Sequence, residues 1–130
     1  LLQQAERQLG EQKGADFAAI RSSLAGGIQA LSQAVDAVVA NFAQDIKAAS
    51  VAAVPMLKLF GTVAGGWQLA RAALAAQRHL DAGDGDARFL AAKIGTARFY
   101  ADHVLAQAGG LAHTVCHGAP GAMALDEQQF

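Results

Sequence analysis

The sequence predicts an all-α fold, an up-down antiparallel bundle of three long helices preceded by a shorter N-terminal one. Three observations carry that expectation. Apolar residues return in steps of three and four through most of the 130 residues. Alanine is the largest single part of the 53% apolar content, whereas aromatics reach only 6%. Alanine is the best helix former and a poor core filler, so such a composition favours helices packed closely through small side chains. No stretch shows the period-two alternation of a strand.

The first helix is expected from Leu2 to about Gly10, with Leu2, Ala5 and Leu9 on one face. The second opens near Asp16, a good N-cap. Its apolar series is Phe17, Ile20, Leu24, Ile28, Leu31, Val35, Val38 and Phe42. It ends in a short connection over residues 45–50. The third begins at Pro55, a residue suited to a first helical turn, and runs to about Leu80 with Phe60, Val63, Trp67, Ala70 and Leu74 on one face. The linker DAGDGD (Asp81 to Asp86) supplies turn formers and an N-cap. The fourth runs from about Asp86 to His117 along Leu90, Ile94, Ala97, Ala101, Val104, Ala108, Leu111 and Val115. At 1.5 Å per residue it would span roughly 45 Å. Gly118 and Pro120 stop it, and residues 122–130 are too few to assign. There is no fixed-period repeat and no sign of a second domain, so residues 1–130 read as a single helical domain.

Composition limits function. A formal charge of −1, with 16% charged residues, gives no field that would seek nucleic acid or an anionic membrane. The single cysteine, Cys116, excludes an internal disulfide and suits a reducing, cytoplasmic setting. No signal peptide is visible, and a start in LLQQAERQLG reads as a piece of a longer polypeptide.

The stretch LKLFGTVAGGWQLARAA (Leu57 to Ala73) puts Gly61, Gly65 and Gly66 inside a helix, each at a cost of about 1 kcal/mol relative to Ala. A phosphate loop fails on spacing, since G-T-V-A-G-G matches neither phosphate-binding glycine pattern and no strand precedes it. A membrane span fails on length: Lys58 and Arg71 leave twelve uncharged residues between them, where about 20 are needed. Close packing remains. A hairpin turning near Gly83 sets Gly61 opposite Ala106, Gly66 opposite Ala101 and Ala70 opposite Ala97, small against small. Gly26-Gly27 and Gly109-Gly110 act likewise or kink their helices.

Few residues offer chemistry. His113 and His117 share a helix face beside Cys116, and thiolate and imidazole both bind zinc. No second ligand cluster completes a four-ligand site, because His79 and His103 are isolated. A histidine near a helix C-terminus, beside a buried Cys acting as a small hydrophobe, is the plainer reading. DAGDGD misses the calcium-loop spacing and lacks its closing Glu. Glu6, Glu11 and Glu127 lie at the chain's ends, Asp36, Asp45 and Asp102 fall singly, and Ser22, Ser23, Ser32 and Ser50 have no obvious base. Arg71, Arg78, Lys93 and Arg98 read as a solvated face, with ion pairs across the last two helices or a docking surface as the alternatives. Trp67 and Tyr100 fit a core at helical spacing. No catalytic, cofactor-binding or metal-binding residue is assigned.

LKLFGTVAGGWQLARAALAA (Leu57 to Ala76), AAKIGTARFYADHVL (Ala91 to Leu105) and the closing HGAPGAMALDEQQF together resemble the C-terminal helical extension of the longer acyl-CoA dehydrogenases, the group that includes 3-methylmercaptopropionyl-CoA dehydrogenases. The resemblance covers about the last two thirds of the chain. Two departures stand out. Met56 replaces an expected aromatic, and Ala106 replaces an expected Pro, which would let the last helix continue straight.

The resemblance implies a parent flavoenzyme that uses FAD to oxidise an acyl-CoA to its 2,3-enoyl form. The catalytic carboxylate and the FAD and CoA sites of that family lie upstream, so none transfers to a residue here. The implied role is non-catalytic packing against the rest of the dehydrogenase chain or a neighbouring subunit of a homo-oligomer, shaping the substrate entrance, with one exposed apolar patch at the contact. A different reading is an independent helical interaction module that dimerises through small residues. A metal-binding bundle built on His113, Cys116 and His117 is the third.

Overall fold

The computed structural model describes residues 1–129, without the side chain of Glu127. Every regular element among the described residues is helical: α1 (Leu2–Gly10), α2 (Ala15–Gln44), α3 (Ile46–Ala82), α4 (Ala87–His103), a 3-10 turn at Leu105–Gln107, α5 (Ala108–His117), the short α6 (Ala119–Ala122) and a 3-10 turn at Glu127–Gln129. The end of the resembling C-terminal stretch, Phe130, lies outside the described residues. α2 and α3 form one antiparallel hairpin, α3 and α4 a second, and α5 returns along both α2 and α3. This is the expected all-α up-down bundle.

Each helix starts and stops for a local reason, and several of those reasons differ from the sequence reading. α2 begins one residue before Asp16, with Gly14 as its N-cap at φ 111°, a conformation that favours glycine. Asp16 instead accepts from Arg98 Nη1 at 3.1 Å. α3 begins at Ile46 rather than at Pro55. Asp45 is the whole connection: its carboxylate accepts from the backbone N–H groups of Lys47 at 3.0 Å and Ala48 at 3.1 Å, capping the new helix. Pro55 therefore lies inside α3, where it leaves the Val51 carbonyl without a backbone donor. At the far end Gly83 takes a left-handed φ of 65° and donates to Leu80, while Asp84 N–H donates to the His79 carbonyl at 2.9 Å. That pair of bonds closes the helix in a Schellman turn. Asp86 then caps α4 through Arg88 and Phe89, as the linker suggested.

The core runs through Leu9, Ile20, Leu24, Leu59 and Val63, all essentially without solvent contact, and is filled between them by alanines. On α3 the buried positions Ala52, Leu59, Val63, Gly66, Ala70 and Ala73 repeat in steps of seven, four, three, four and three. Phe60, expected on this face, is 56% exposed, and Leu59 takes the inward place. Val35 and Phe42 also turn out of the core, because the inward face of α2 moves round to Ala30, Leu31 and Ala34.

The fourth helix does not run unbroken to His117. It stops at His103 and resumes at Ala108 after the 3-10 turn, even though Ala106 rather than a proline stands there. At this break sits Leu105, 3% exposed, whose side chain is received by two glycines on neighbouring helices.

Candidate functional site

A β-carbon on Gly27 would stand 2.8 Å from Leu105 Cδ1, and one on Gly66 would stand 2.8 Å from Leu105 Cδ2. Both glycines are sockets for one leucine, on α2 and α3 respectively. A third socket is Gly65, where a β-carbon would meet the Tyr100 hydroxyl at 2.6 Å. Tyr100 uses that space to donate to the Thr62 carbonyl at 3.0 Å. Its burial holds the phenol above the ordinary tyrosine value. The small-against-small pairing expected from sequence is thus corrected at Gly66, which meets Leu105, and the neighbouring Gly65 likewise meets a large side chain. Gly61 meets nothing within 4 Å, nor do Gly26, Gly109 and Gly110.

The histidine corner is open and shallow. The rings of His113 and His117 lie 4.8 Å apart, centroid to centroid, on the outer side of α5. The Cys116 thiol donates toward the Gln33 carbonyl at 3.9 Å, and all three side chains line one open concavity of about 400 Å³ between α2 and α5. Among the described residues no three His, Cys, Asp or Glu side chains are grouped to hold a metal ion. The acids of DAGDGD are each engaged locally: Asp81 with Gln77, Asp84 with His79 and Asp86 with the α4 N-terminus.

The cationic residues do not bridge α3 and α4. Arg98 bonds Asp102 at 2.6 Å and reaches Asp16 at the start of α2, and these carboxylates raise its already high pKa, the Asp102 hydrogen bond most. Arg71 lies over the Trp67 ring at 5.1 Å and bonds Gln68, while Lys93 lies over Phe89 at 4.9 Å. Trp67 is half-buried at the edge of the core, its ring shared between apolar neighbours and the Arg71 cation.

One concavity among the described residues is apolar. α1 lies in the furrow between α2 and α3, tied at its middle by the Glu6–Arg21 ion pair at 2.7 Å. At its N-terminal end a groove of about 510 Å³ opens between Leu1, Leu2, Ile28, Leu31, Phe60 and Trp67. A carboxamide, that of Gln3, is the sole polar side chain among its lining residues apart from the indole N–H. No side chain that is both polar and buried occurs among the described residues. The groove can therefore receive apolar surface but offers no set of donors for a pyrophosphate or a flavin ring.

Sequence reasoning missed this groove, although a signal was present. In LKLF the apolar residues Leu57, Leu59 and Phe60 point to different sides of one helix. A helix apolar on more than one side must be covered on more than one side. Ile46–Ala82 holds 37 residues, and less than a third of its apolar stretch is buried. By length and composition alone this helix is long and apolar enough to cross a membrane, which counting from Lys58 to Arg71 had denied.

Comparison with known proteins is consistent with this architecture. The family model described as "Acetyl-CoA dehydrogenase C-terminal like" matches residues 2–126. A 3-methylmercaptopropionyl-CoA dehydrogenase from Ruegeria pomeroyi is 43% identical over 94 residues, which is 72% of this chain and 16% of the relative. The match thus spans about one sixth of that enzyme's length.

Proposed function

This chain belongs to the acetyl-CoA dehydrogenase C-terminal-like family, and from that premise we propose that it is the accessory helical domain of a longer FAD-dependent acyl-CoA dehydrogenase. The parent removes two hydrogens from an acyl-CoA thioester to give the 2,3-enoyl product. The helical domain takes no chemical part. It packs against the catalytic portion or a neighbouring subunit and helps to shape the substrate entrance. Its cytoplasmic placement accords with a lone, unpaired thiol.

One observation carries this reading: a family match over nearly the whole chain falls on a domain whose interior has no buried polar side chain among the described residues. Acid–base or hydride chemistry needs positioned polar groups, and the bundle's interior supplies alanine and leucine instead. The residues present do not fit a flavin, so FAD belongs to the parent's other portion and no step is routed through this one.

The test is a visible absorption spectrum of the full polypeptide encoded by the gene, purified without added cofactor. A flavin spectrum that bleaches with acyl-CoA is expected. A colourless protein, or one scarcely longer than this chain, overturns the reading and favours a self-associating helical module. The exposed apolar side chains of α2 and α3 are what favour that second reading, and gel filtration at two concentrations would show it by a shift on dilution.

A further inference from the structure

The furrow that seats α1 does not end where α1 ends. α1 runs antiparallel to α2, Glu6 beside Arg21 and Leu2 beside Ile28 and Leu31, so its first residue points along the furrow toward the Asp45 joint. Beyond Leu1 the walls continue in kind. From Leu31, α2 presents Val35, Val39 and Phe42 in steps of four, four and three. From Ala64, α3 presents Phe60 and Leu57 in steps of four and three. All five are exposed, Leu57 by 74% and Val39 by 67%. An apolar strip of this length is far more than scattered surface leucines.

We propose that this strip is the seat of the dehydrogenase portion of the same polypeptide, an apolar helical surface that meets the bundle beside Leu1 and lies along the α2–α3 furrow. The proposal rests on the functional reading above and adds where the two portions meet. Two observations select the occupant. The strip is continuous with a seat that already holds a helix, α1, through Leu2, Ala5 and Leu9. The relative in which the matched segment is one sixth of the length leaves a large remainder to be placed. A polypeptide joined at Leu1 begins at the lip of the groove. Tethering at that point gives its apolar surface a high local concentration over the strip. A concave furrow also suits a helix ridge better than it suits lipid, which amphipathic helices meet with a convex face.

The test is cysteine accessibility in the full polypeptide, read peptide by peptide by mass spectrometry after maleimide treatment. Val39→Cys and Leu57→Cys report the strip. Ser22→Cys and Asp84→Cys report exposed positions on α2 and in the α3–α4 turn. The strip positions are expected to react about tenfold or more slowly than the controls, as covered sites that open only transiently do, and dilution should leave the ratio unchanged. Equal rates at all four positions overturn the proposal. So does protection that fades on dilution, which assigns the strip to a second copy. Protection that appears only with added phosphatidylcholine–phosphatidylglycerol vesicles overturns it in favour of a lipid surface. The flavin spectrum of the same samples separates the two failures. A colourless protein removes the dehydrogenase reading and this occupant together, while a yellow protein freely labelled at Val39 and Leu57 removes the seat alone.

Discussion

The side chain of Leu105 fills the space that a β-carbon on Gly66 would need, with Cδ2 2.8 Å from that position. The 3-10 turn in the last long helix places this leucine in the seam between α2 and α3. Gly66→Ala should therefore destabilise the chain by about 1–3 kcal/mol, as overpacking does. Leu105→Ala should cost about 2–5 kcal/mol through the cavity it leaves. Combined, the two should cost clearly less than their sum, because the new methyl enters the vacated space. Urea unfolding of the four proteins measures the coupling, and strict additivity would contradict the socket.

Gly61 belongs to the same run of sequence and has the opposite expectation. Nothing lies within 4 Å of its would-be β-carbon, and its backbone is helical and exposed. Gly61→Ala should raise stability by about 0.5–1 kcal/mol through helix propensity. A loss in the melting experiment would mean that the position is covered.

Pro55 interrupts the hydrogen-bond ladder of α3 in the helix interior. Pro55→Ala restores the donor to the Val51 carbonyl and should stabilise the chain by about 1–3 kcal/mol. Thermal unfolding checks the sign.

Asp45 is the sole residue between two helices of 30 and 37 residues. Asp45→Ala removes both cap bonds and should cost about 0.5–2 kcal/mol. Asp45→Asn, which keeps a side-chain oxygen in place, should recover most of that loss. Equal melting temperatures for all three proteins would show the cap to be idle.

Tyr100 is the chain's single tyrosine, so alkaline absorbance titration reads it alone. Burial should place its midpoint above the ordinary tyrosine value. The unfolded chain then gives up its phenolic proton first, so stability holds below about pH 10 and falls as pH rises from there through the folded value. Tyr100→Phe should abolish that fall and cost about 1 kcal/mol at neutral pH for the lost bond to Thr62.

What could be read from sequence follows from what repeats. The series from Ile94 through Ala97, Ala101 and Ala108 to Val115 is buried as its spacing predicts. The linker around Gly83 and the Asp86 cap were legible because turn chemistry is local. Pro55 misled because its place in a first turn is only a preference, and Asp45 offered a better cap ten residues earlier. Leu105 fell out of register with its series, and only the three-dimensional meeting with Gly27 and Gly66 explains it. Phe60 and Phe42 show the remaining limit. Periodicity marks an apolar face, but it does not say whether the chain itself covers that face.

The bare strip has a further consequence for handling this chain by itself. With a net charge of −1 and a pI near 6.4, copies in neutral solution have almost no mutual repulsion. An apolar strip on a nearly uncharged particle is a recipe for poor colloidal behaviour. The isolated chain should precipitate most readily just below neutrality, and added surface carboxylates should rescue its solubility without touching its melting temperature.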